Sequence, residues 1–281
     1  MLVGDLGRQR GAGRLVTMLV VLKADYEEVS REAARIVAQT VRSRPRATLG
    51  LATGSTVAGT YRELTRLHKE EGLDFSKAAT FNLDEYLGLR AEHPQSFHQF
   101  MREHLFAHVN LREENIHIPD GKFEGDYEEY CAKYEEAIRE AGGIELQLLG
   151  IGRNGHIGFN EPTSSFASRT RLKVLSSETM EDNRRFFQEG EEVPECAVTM
   201  GIGTILESRR ILILATGEAK AEAVERAIEG PITASVTASC LQLHADVTYV
   251  VDEEAASTLK QREYYRRVME MTAKLTPKRL S

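Results

Sequence analysis

The feature of this sequence that most constrains its fold is the alternation of short apolar runs with longer segments of helical periodicity. Six runs of four to seven residues share this character, at residues 19–22, 47–53, 78–83, 144–149, 210–216 and 247–252. Uninterrupted apolar runs of this length are typical of strands that are buried on both faces of a parallel sheet. The alternation therefore predicts a three-layer α/β fold of the Rossmann-like kind, in which a mostly parallel sheet carries helices on both faces.

The segments between these runs carry apolar residues at helical spacing. The first of them places Val29, Ala33, Ile36, Val37 and Val41 on one face of a helix. Further helices are predicted at residues 57–67, 96–109, 126–141 and 218–228, and at the C-terminus. Because no proline-rich linker, charge block or low-complexity tract interrupts the pattern, we expect a single α/β domain over residues 18–281.

Residues 1–17 precede the first predicted strand and contain several glycines and arginines. Arginines ahead of the apolar patch at residues 16–22 faintly resemble a secretory signal, but the patch is short and no small-residue cleavage pattern follows it. We therefore expect a flexible N-terminal extension rather than a targeting segment.

The charge balance limits the classes of partner. The chain has 36 Lys and Arg against 43 Asp and Glu, a net charge of −7, whereas binding to nucleic acid or an acidic membrane needs an excess of basic residues. No apolar stretch approaches the roughly 20 residues of a membrane span. Cys131, Cys196 and Cys240 lack metal-ligand spacing, so we expect reduced thiols, no metal site and a cytoplasmic protein. A small anionic ligand stays compatible, because it needs only a few placed cations.

The stretch "LLGIGRNGHIGFNEP" at residues 148–162 contains an incomplete dinucleotide-binding pattern. Gly150, Gly152 and Gly155 satisfy G-x-G-x-x-G directly after a predicted strand. A dinucleotide site also needs a helix that opens on the last glycine, but a further glycine and a proline follow within seven residues. The pattern therefore predicts a glycine turn with no helix after it.

This turn presents a histidine instead of a helix. His156 follows the last glycine of the pattern, and Asn154 and Glu161 lie nearby in the sequence. A histidine moves protons between oxygens near neutral pH once a second group fixes its tautomer, and Asn154 and Glu161 are local candidates for that group. The alternative is a structural histidine that is hydrogen-bonded within a loop.

Two other strand ends carry groups that bind phosphate well. "ATGST" at residues 52–56 predicts a glycine turn whose backbone N–H groups, together with the dipole of the following helix, attract an anion. The alternative is ordinary capping of that helix by Ser55 or Thr56. Lys220, in "ATGEAK", also lies just past a strand end, where it can reach a phosphate at the same edge of the sheet.

The stretch "FNLDEY" at residues 81–86 places two carboxylates after a strand. Adjacent side chains on an extended chain point in opposite directions, so at most one of Asp84 and Glu85 faces a site. The apolar residues around them predict a partly desolvated setting that suits a general base, and the alternative is a pair of solvated loop carboxylates. Because ligands gather at the carboxyl ends of parallel strands, we expect this stretch and the two glycine turns to converge.

Taken together, these motifs resemble the glucosamine-6-phosphate deaminase family. Eight pieces carry the resemblance in the family's order over most of residues 18–252: "ATGST", "TFNLDEYLGL", "HPQSFHQFM", "GIGRNGHIGFNEP", "SRTR", "NRRFF", "VTMGIGTIL" and "SCLQLH". The resemblance implies a cofactor-free aldose–ketose isomerisation with deamination, which turns glucosamine 6-phosphate and water into fructose 6-phosphate and ammonia in amino-sugar catabolism. It also implies a small sugar-phosphate substrate and a homo-oligomer.

The resemblance implies roles for residues at the matching motif positions. Asp84 is the expected enolisation base, which moves the C2 proton toward C1. His156 exchanges a proton with the ring oxygen during ring opening, and Asn154 and Glu161 orient it. The residues expected to hold the phosphate are Gly54, Ser55, Thr56, Arg185 and Lys220.

Two features concern variation within the family. Some members carry aspartate at the position of Asn154; asparagine can hydrogen-bond His156 but supplies no negative charge, so we expect a lower histidine pKa here. Some members are hexamers that N-acetylglucosamine 6-phosphate activates at a second, allosteric site. Ser164, Arg171 and Lys173 match positions of that site, whereas the C-terminal "REYYRRVME" does not clearly supply its tyrosine.

Two alternatives stay open. One is another sugar-phosphate enzyme of the same fold, either a 6-phosphogluconolactonase, which shares the glycine turn and histidine, or a pentose-phosphate isomerase. The other is a catalytically silent sugar-phosphate sensor. The intact Asp84, His156 and Glu161 argue against the sensor, because it needs the phosphate contacts but not the proton-transfer groups.

Overall fold

A computed structural model describes residues 18–275, and the predicted extension at residues 1–17 lies outside the described residues. The strands and helices in chain order are β1 Met18–Lys23, α1 Tyr26–Ser43, β2 Thr48–Leu51, α2 Ser55–Glu71, β3 Ala79–Asn82, β4 Asp84–Tyr86, α3 Phe97–His104, β5 Ile116–His117, α4 Tyr127–Glu140, β6 Leu146–Gly150, β7 Arg171–Val174, α5 Ser177–Arg184, β8 Cys196–Thr199, α6 Ile202–Leu206, β9 Ile211–Ala215, α7 Ala221–Ile228, β10 Val247–Asp252 and α8 Arg262–Leu275. Segments of 3-10 helix lie at Phe106–His108, Glu113–Asn115, Glu218–Lys220 and Thr237–Leu243.

A seven-stranded sheet forms the centre of the fold, with the strand order β1-β10-β9-β6-β2-β3-β5. Neighbouring strands in this sheet pair in parallel. Every residue of β2, β9 and β10 is buried, as expected for apolar runs that are covered on both faces. The predicted fold class, a mostly parallel sheet with helices around it, is confirmed.

Helix α1 shows how the sequence pattern becomes packing. Its N-cap Asp25 accepts a hydrogen bond from the backbone N–H of Glu28 at 2.8 Å, which satisfies one of the free donors at the helix start. All five residues of its predicted apolar face are buried. Each large apolar side chain buried in this way stabilises the fold by about 1.5–3 kcal/mol.

A second, three-stranded sheet of order β4-β8-β7 was not predicted from the sequence. Its strands pair antiparallel and are only three or four residues long. The two sheets meet at Leu83, whose N–H donates to the C=O of Leu51 at 3.0 Å and whose C=O accepts from the N–H of Met200 at 2.6 Å. The chain therefore passes from the large sheet to the small one within a single residue, and Asp84 opens the small sheet.

Two predicted helices are shorter than expected. The helix predicted at residues 96–109 ends at His104, because Leu105 has non-helical backbone angles, and a 3-10 turn follows. The helix predicted at residues 218–228 begins with a 3-10 turn, so that α7 starts only after Lys220. Both differences lie at helix ends, where periodicity carries the least information.

Candidate active site

The carboxyl ends of β2, β3, β6 and β9 open into one cavity of about 680 Å³. These four strands are neighbours in the large sheet. The predicted site residues that line the cavity are Gly54, Ser55, Thr56, Asp84, His156, Arg185 and Lys220. The structure thus brings the two glycine turns and the carboxylate-bearing stretch together, and adds the segment after α5.

Asp84 is the first residue of β4 and is only 5% exposed. Burial raises the pKa of its carboxyl to about 8; the charge of Glu85 adds to this shift, and the backbone N–H of Phe159 opposes it. A carboxyl group that titrates in this range is poised to accept a proton and return it near neutral pH. The environment of Asp84 therefore suits a general base.

Glu85 points away from the cavity. It accepts hydrogen bonds from the backbone N–H groups of Tyr86 and Phe97, both at 2.8 Å, and of His98 at 3.1 Å. Phe97 and His98 open α3, so Glu85 fixes the start of that helix. Burial raises the pKa of Glu85 to about 7 despite these hydrogen bonds. Asp84 and Glu85 are both buried, so the alternative of a solvated pair is wrong.

His156 is held by its two neighbours in the glycine-rich loop. Its Nδ1 lies 2.8 Å from Oδ1 of Asn154 and 3.6 Å from Oε2 of Glu161. Nδ2 of Asn154 donates in turn to Oε2 of Glu161 at 3.2 Å. Because Oδ1 of Asn154 can only accept, Nδ1 of His156 carries the proton, and Nε2 is left as an acceptor.

Burial favours a neutral His156 ring, and the neighbouring Glu161 is an ionised carboxylate. Burial lowers the pKa of His156; Glu161 opposes this shift, and the charge of Lys220 adds to it. Burial would raise the pKa of Glu161, but the charge of His156 and hydrogen bonds from its neighbours hold it below the ordinary value. Burial is thus the main cause of the lowered histidine pKa, and the expected effect of asparagine in place of aspartate at position 154 stays a prediction.

The glycines of the turn are needed to seat the imidazole. A Cβ on Gly152 would lie 2.3 Å from the ring of His156, and the Gly152 N–H donates to the His156 C=O at 2.9 Å. Gly155 has a φ of +83°, and a Cβ there would lie 2.5 Å from the side chain of Val236. The G-x-G-x-x-G pattern here shapes a histidine loop instead of a dinucleotide site.

The start of α2 provides an anion-binding surface on the same cavity. Gly54 is the N-cap, with a φ of +111°, and within residues 18–275 no side chain caps this helix start. The alternative of capping by Ser55 or Thr56 is therefore wrong. The Val57 N–H in the first turn donates to the C=O of Gly54 at 3.2 Å, whereas Ser55 and Thr56 ahead of it line the cavity at the start of this 17-residue helix. Such a helix start attracts anions.

Two cations complete this part of the cavity. Lys220 lies in the 3-10 turn after β9, and Arg185 follows α5 directly. Burial lowers the pKa of Lys220; the charge of Asp182 opposes this, and those of Arg153 and Arg185 add to it. Lys220 and Arg185 are close enough to repel each other, so an anionic group between them would be stabilising.

Helix α5 and the residues after it form a wall of the cavity, and of this segment the sequence predicted only Arg185 as a site residue. Arg153 of the glycine turn forms an ion pair with α5: its Nη2 lies 2.7 Å from Oδ1 of Asp182 and 3.9 Å from Oε1 of Glu178. Phe187 contacts Tyr86 edge to face, with 5.8 Å between ring centroids. Helix α5 is short and mostly polar, so it gives no apolar period, and the motif "NRRFF" was the available signal.

The three residues predicted for an allosteric site do not line this cavity. Ser164 is buried, at 4% exposure. Arg171 and Lys173 lie two residues apart on β7 and so share one face of it. Arg171 lines a separate hollow of about 760 Å³ together with Arg169 and Glu135. Their role in a second site stays a prediction.

Residues 18–275 show neither a membrane-spanning helix nor a metal-binding cluster. No helix between residues 18 and 275 is long and apolar enough to cross a membrane. In the same range, no cluster of three or more His, Cys, Asp or Glu side chains is placed to hold a metal ion. The three cysteines are free thiols.

Known proteins are similar to this chain in both sequence and fold. The family model described as glucosamine-6-phosphate isomerases/6-phosphogluconolactonase matches residues 23–250. The glucosamine-6-phosphate deaminase of Thermoanaerobacter pseudethanolicus is 50% identical over 242 residues, which cover 86% of this chain and 95% of that protein.

Two solved structures extend the comparison. One, described as a monomeric glucosamine-6-phosphate deaminase, has a TM-score of 0.83 at 49% identity and covers 85% of this chain and 99% of its own. The 6-phosphogluconolactonase of Trypanosoma brucei has a TM-score of 0.67 at 20% identity, with 86% of this chain and 98% of its own covered. The second likeness shows the fold alone.

Proposed function

The chain belongs to the family of glucosamine-6-phosphate isomerases and 6-phosphogluconolactonases, and on that premise we propose that it converts glucosamine 6-phosphate and water to fructose 6-phosphate and ammonia. The proposal rests on one observation: Asp84 and His156 line the same cavity, and cationic side chains suited to bind an anion line another part of it. Relatives named as deaminases have about 50% sequence identity to this chain over most of its length. This similarity favours deamination over lactone hydrolysis or pentose-phosphate isomerisation.

The phosphate is held away from the reacting carbons. Gly54, Ser55 and Thr56 at the start of α2 line the cavity together with Arg185 and Lys220, and these groups bind the phosphate. Because the phosphate does not react, these contacts bind substrate and transition state equally. Their contribution is to fix the sugar so that its C1 and C2 reach the proton-transfer groups.

His156 opens the sugar ring. Its Nε2 accepts the proton of the C1 hydroxyl and returns a proton to the ring oxygen as the bond between C1 and that oxygen breaks. Asn154 holds Nδ1 in the protonated state, and Glu161 at 3.6 Å stabilises the transient imidazolium. The product of this step is the open-chain amino aldehyde.

Asp84 performs the isomerisation. Its carboxylate removes the C2 proton, the electron pair forms a C1–C2 double bond, and the aldehyde oxygen takes up a proton from water. The Asp84 carboxyl then delivers its proton to C1, and the nitrogen lone pair forms a protonated imine at C2. Water adds to C2 and returns one proton to the solvent, the C2–N bond breaks as the new hydroxyl proton passes to nitrogen, and ammonia and fructose 6-phosphate leave. A base with a pKa of about 8 can make both transfers.

One assay tests this proposal. The protein is incubated with glucosamine 6-phosphate without added cofactor, and we expect ammonia and fructose 6-phosphate in equal amounts. 6-Phosphogluconolactone and ribose 5-phosphate serve as alternative substrates, and Asp84→Asn is the negative control. Lactone hydrolysis or pentose isomerisation without ammonia release would contradict the proposal, and binding without any turnover would favour a sensor.

Several finer expectations remain proposals of their own. We propose a single domain from residue 18 onward, a homo-oligomer and a cytoplasmic location. A similar solved protein is described as monomeric, so sedimentation of this protein is the measurement that decides its assembly. We also propose that Ser164, Arg171 and Lys173 contribute to a second site, which a change of the substrate saturation curve by N-acetylglucosamine 6-phosphate would reveal.

A further inference from the structure

The loop that carries His156 is fastened to the small sheet that carries Asp84. Thr199 is the last residue of β8 and lies directly opposite Asp84 in the antiparallel pair. Its Oγ1 accepts a hydrogen bond from the backbone N–H of Phe159, three residues after His156, at 3.1 Å. Thr199 is fully buried, so this bond forms away from water, where its loss is costly.

Asn160 makes a second attachment between the same two regions. Its Nδ2 donates to the C=O of Ile157 at 2.9 Å and to the C=O of Met200 at 2.8 Å. The N–H of Met200 donates to the C=O of Leu83 at 2.6 Å, directly before Asp84 in the chain. The backbone of Met200 thus hydrogen-bonds both to the residue before Asp84 and to the loop that carries His156.

Gly158 shows how closely the two regions approach. Its φ is +54°, and an added Cβ would lie 3.2 Å from Oγ1 of Thr199, 3.3 Å from Oδ2 of Asp84 and 3.5 Å from Nδ2 of Asn160. The hydroxyl, the carboxylate and the amide therefore surround one backbone position that has no side chain. We call Gly158, Asn160 and Thr199 the junction.

From these contacts we propose that Asn160 and Thr199 are positioning residues, which fix the carboxylate of Asp84 relative to the imidazole of His156. The inference rests on the proposed function, in which the two groups act in turn on neighbouring atoms of one sugar. A misplacement of about 1 Å at such a site costs on the order of 10²-fold in rate.

The two positioning residues lie away from the groups proposed to hold the phosphate. Those groups are the start of α2, Arg185 and Lys220, all on other elements. Loosening the junction should therefore leave substrate affinity almost unchanged and lower the rate of the chemical steps. This split between kcat and KM distinguishes positioning from a general loss of structure.

Gln147 provides a matched control for the loss of a buried amide. It lies in β6, is fully buried, and its Nε2 donates to the C=O of Leu148 at 3.0 Å. It packs against Gly50, where an added Cβ would lie 2.1 Å from its Oε1, and it does not line the cavity. A substitution here removes a buried amide from the large sheet without a contact to either proton-transfer group.

The experiment compares kcat, KM and thermal stability of the wild type with those of four variants: Asn160→Leu, Thr199→Val, Thr199→Ser and Gln147→Leu. We expect Asn160→Leu and Thr199→Val to lower kcat by about 10²-fold with KM nearly unchanged. Thr199→Ser keeps the hydroxyl and should retain most of the activity. Gln147→Leu should lower the melting temperature while kcat of the folded protein stays near that of the wild type.

Other results would overturn the inference. These are a rise in KM alone, a Thr199→Val enzyme as active as Thr199→Ser, or a kcat loss in Gln147→Leu equal to that in Asn160→Leu. The Thr199 pair decides the matter if Asn160→Leu does not fold. The wild type in the same assay tests the proposed function separately: no ammonia release defeats both ideas, whereas normal turnover with unaffected junction variants defeats positioning alone.

Discussion

Asp84 and His156 line the same cavity, but the protein holds them in place by different means. Asp84 lies on a strand where the two sheets meet, and burial is the main cause of its raised pKa. His156 lies in a loop, and the Nδ1 contact to Asn154 at 2.8 Å and the nearby Glu161 orient its ring. Burial is the first cause of the pKa shift at both groups, but only the loop-borne ring needs specific partners to fix its orientation and tautomer.

The difference has a physical reason. A strand end in a packed sheet has little freedom, so its side chain is placed by the backbone and tuned by what surrounds it. A loop has no such frame, and its side chain needs hydrogen bonds to fix both its position and its tautomer. We therefore expect changes at the two groups to produce different kinetic defects.

The largest expected effect tests the strand-borne group. Asp84→Asn keeps the size of the side chain and removes the base, so C2 deprotonation should stop whatever form the sugar takes. Loss of a general base typically lowers kcat on the order of 10²–10⁴-fold. The measurement is kcat on glucosamine 6-phosphate and on an analogue that cannot close into a ring, with folding checked by circular dichroism. Recovery of activity on the open-chain analogue would contradict the role of Asp84.

A smaller and conditional effect is expected at the loop. His156→Gln should slow ring opening by about 10²-fold, and the defect should shrink on the open-chain analogue because that substrate skips the step. Comparing the ratio of the two rates in His156→Gln with the ratio in Asp84→Asn gives the sharpest contrast between the regions. Equal defects on both substrate forms would break the proposed division of labour, even if the protein releases ammonia.

A third variant, Lys220→Ala, serves as a reference because it affects neither the strand that carries Asp84 nor the loop that carries His156. Lys220→Ala removes a cation expected to contact the phosphate, which does not react. A hydrogen bond to a charged group contributes about 1.5–3 kcal/mol, so KM should rise by roughly 10- to 100-fold while kcat changes little. Steady-state kinetics with glucosamine 6-phosphate measure both constants. A fall in kcat at unchanged KM would show that Lys220 acts on the chemistry instead.

The sequence predicted the large sheet and the convergence of its strand ends because both follow from local patterns. Buried parallel strands are continuous apolar runs, and their carboxyl ends share one edge. That rule alone placed Asp84 beside the glycine turn of His156. The roles of these residues rest on the resemblance to a family and stay predictions.

The small sheet could not be predicted, because its pairing is long-range and its strands are short. Strand β4 has three residues, two of them acidic, and pairs with β8 more than a hundred positions later in the chain. The three residues "DEY" are too few to show a periodicity that would predict this pairing, so the pairing of Asp84 with Thr199 was not predicted either. The start of α2 was ambiguous for a different reason: Ser55 and Thr56 are both good capping residues, and the positive φ of Gly54 is a property of the folded turn.

The last prediction also concerns Asp84, but it is measured through protein stability instead of rate. The carboxyl has an ordinary pKa of 3.8 and a folded-state pKa of about 8, so the unfolded chain releases this proton first as pH rises. The folded state therefore loses stability between about pH 4 and pH 8, and above pH 8 it carries a buried charge at full cost. Asparagine is neutral throughout, so Asp84→Asn should melt at a higher temperature than the wild type at pH 9, and this difference should shrink toward pH 5. For a domain of about this size each kcal/mol of unfolding free energy corresponds to about 2–4 °C in melting temperature, which scanning calorimetry resolves.

Glu85 is present in both proteins, so its own titration cancels from the difference in melting temperature, except for its repulsion of Asp84. A melting-temperature difference that does not vary with pH would show that burial does not control the protonation of the Asp84 carboxyl.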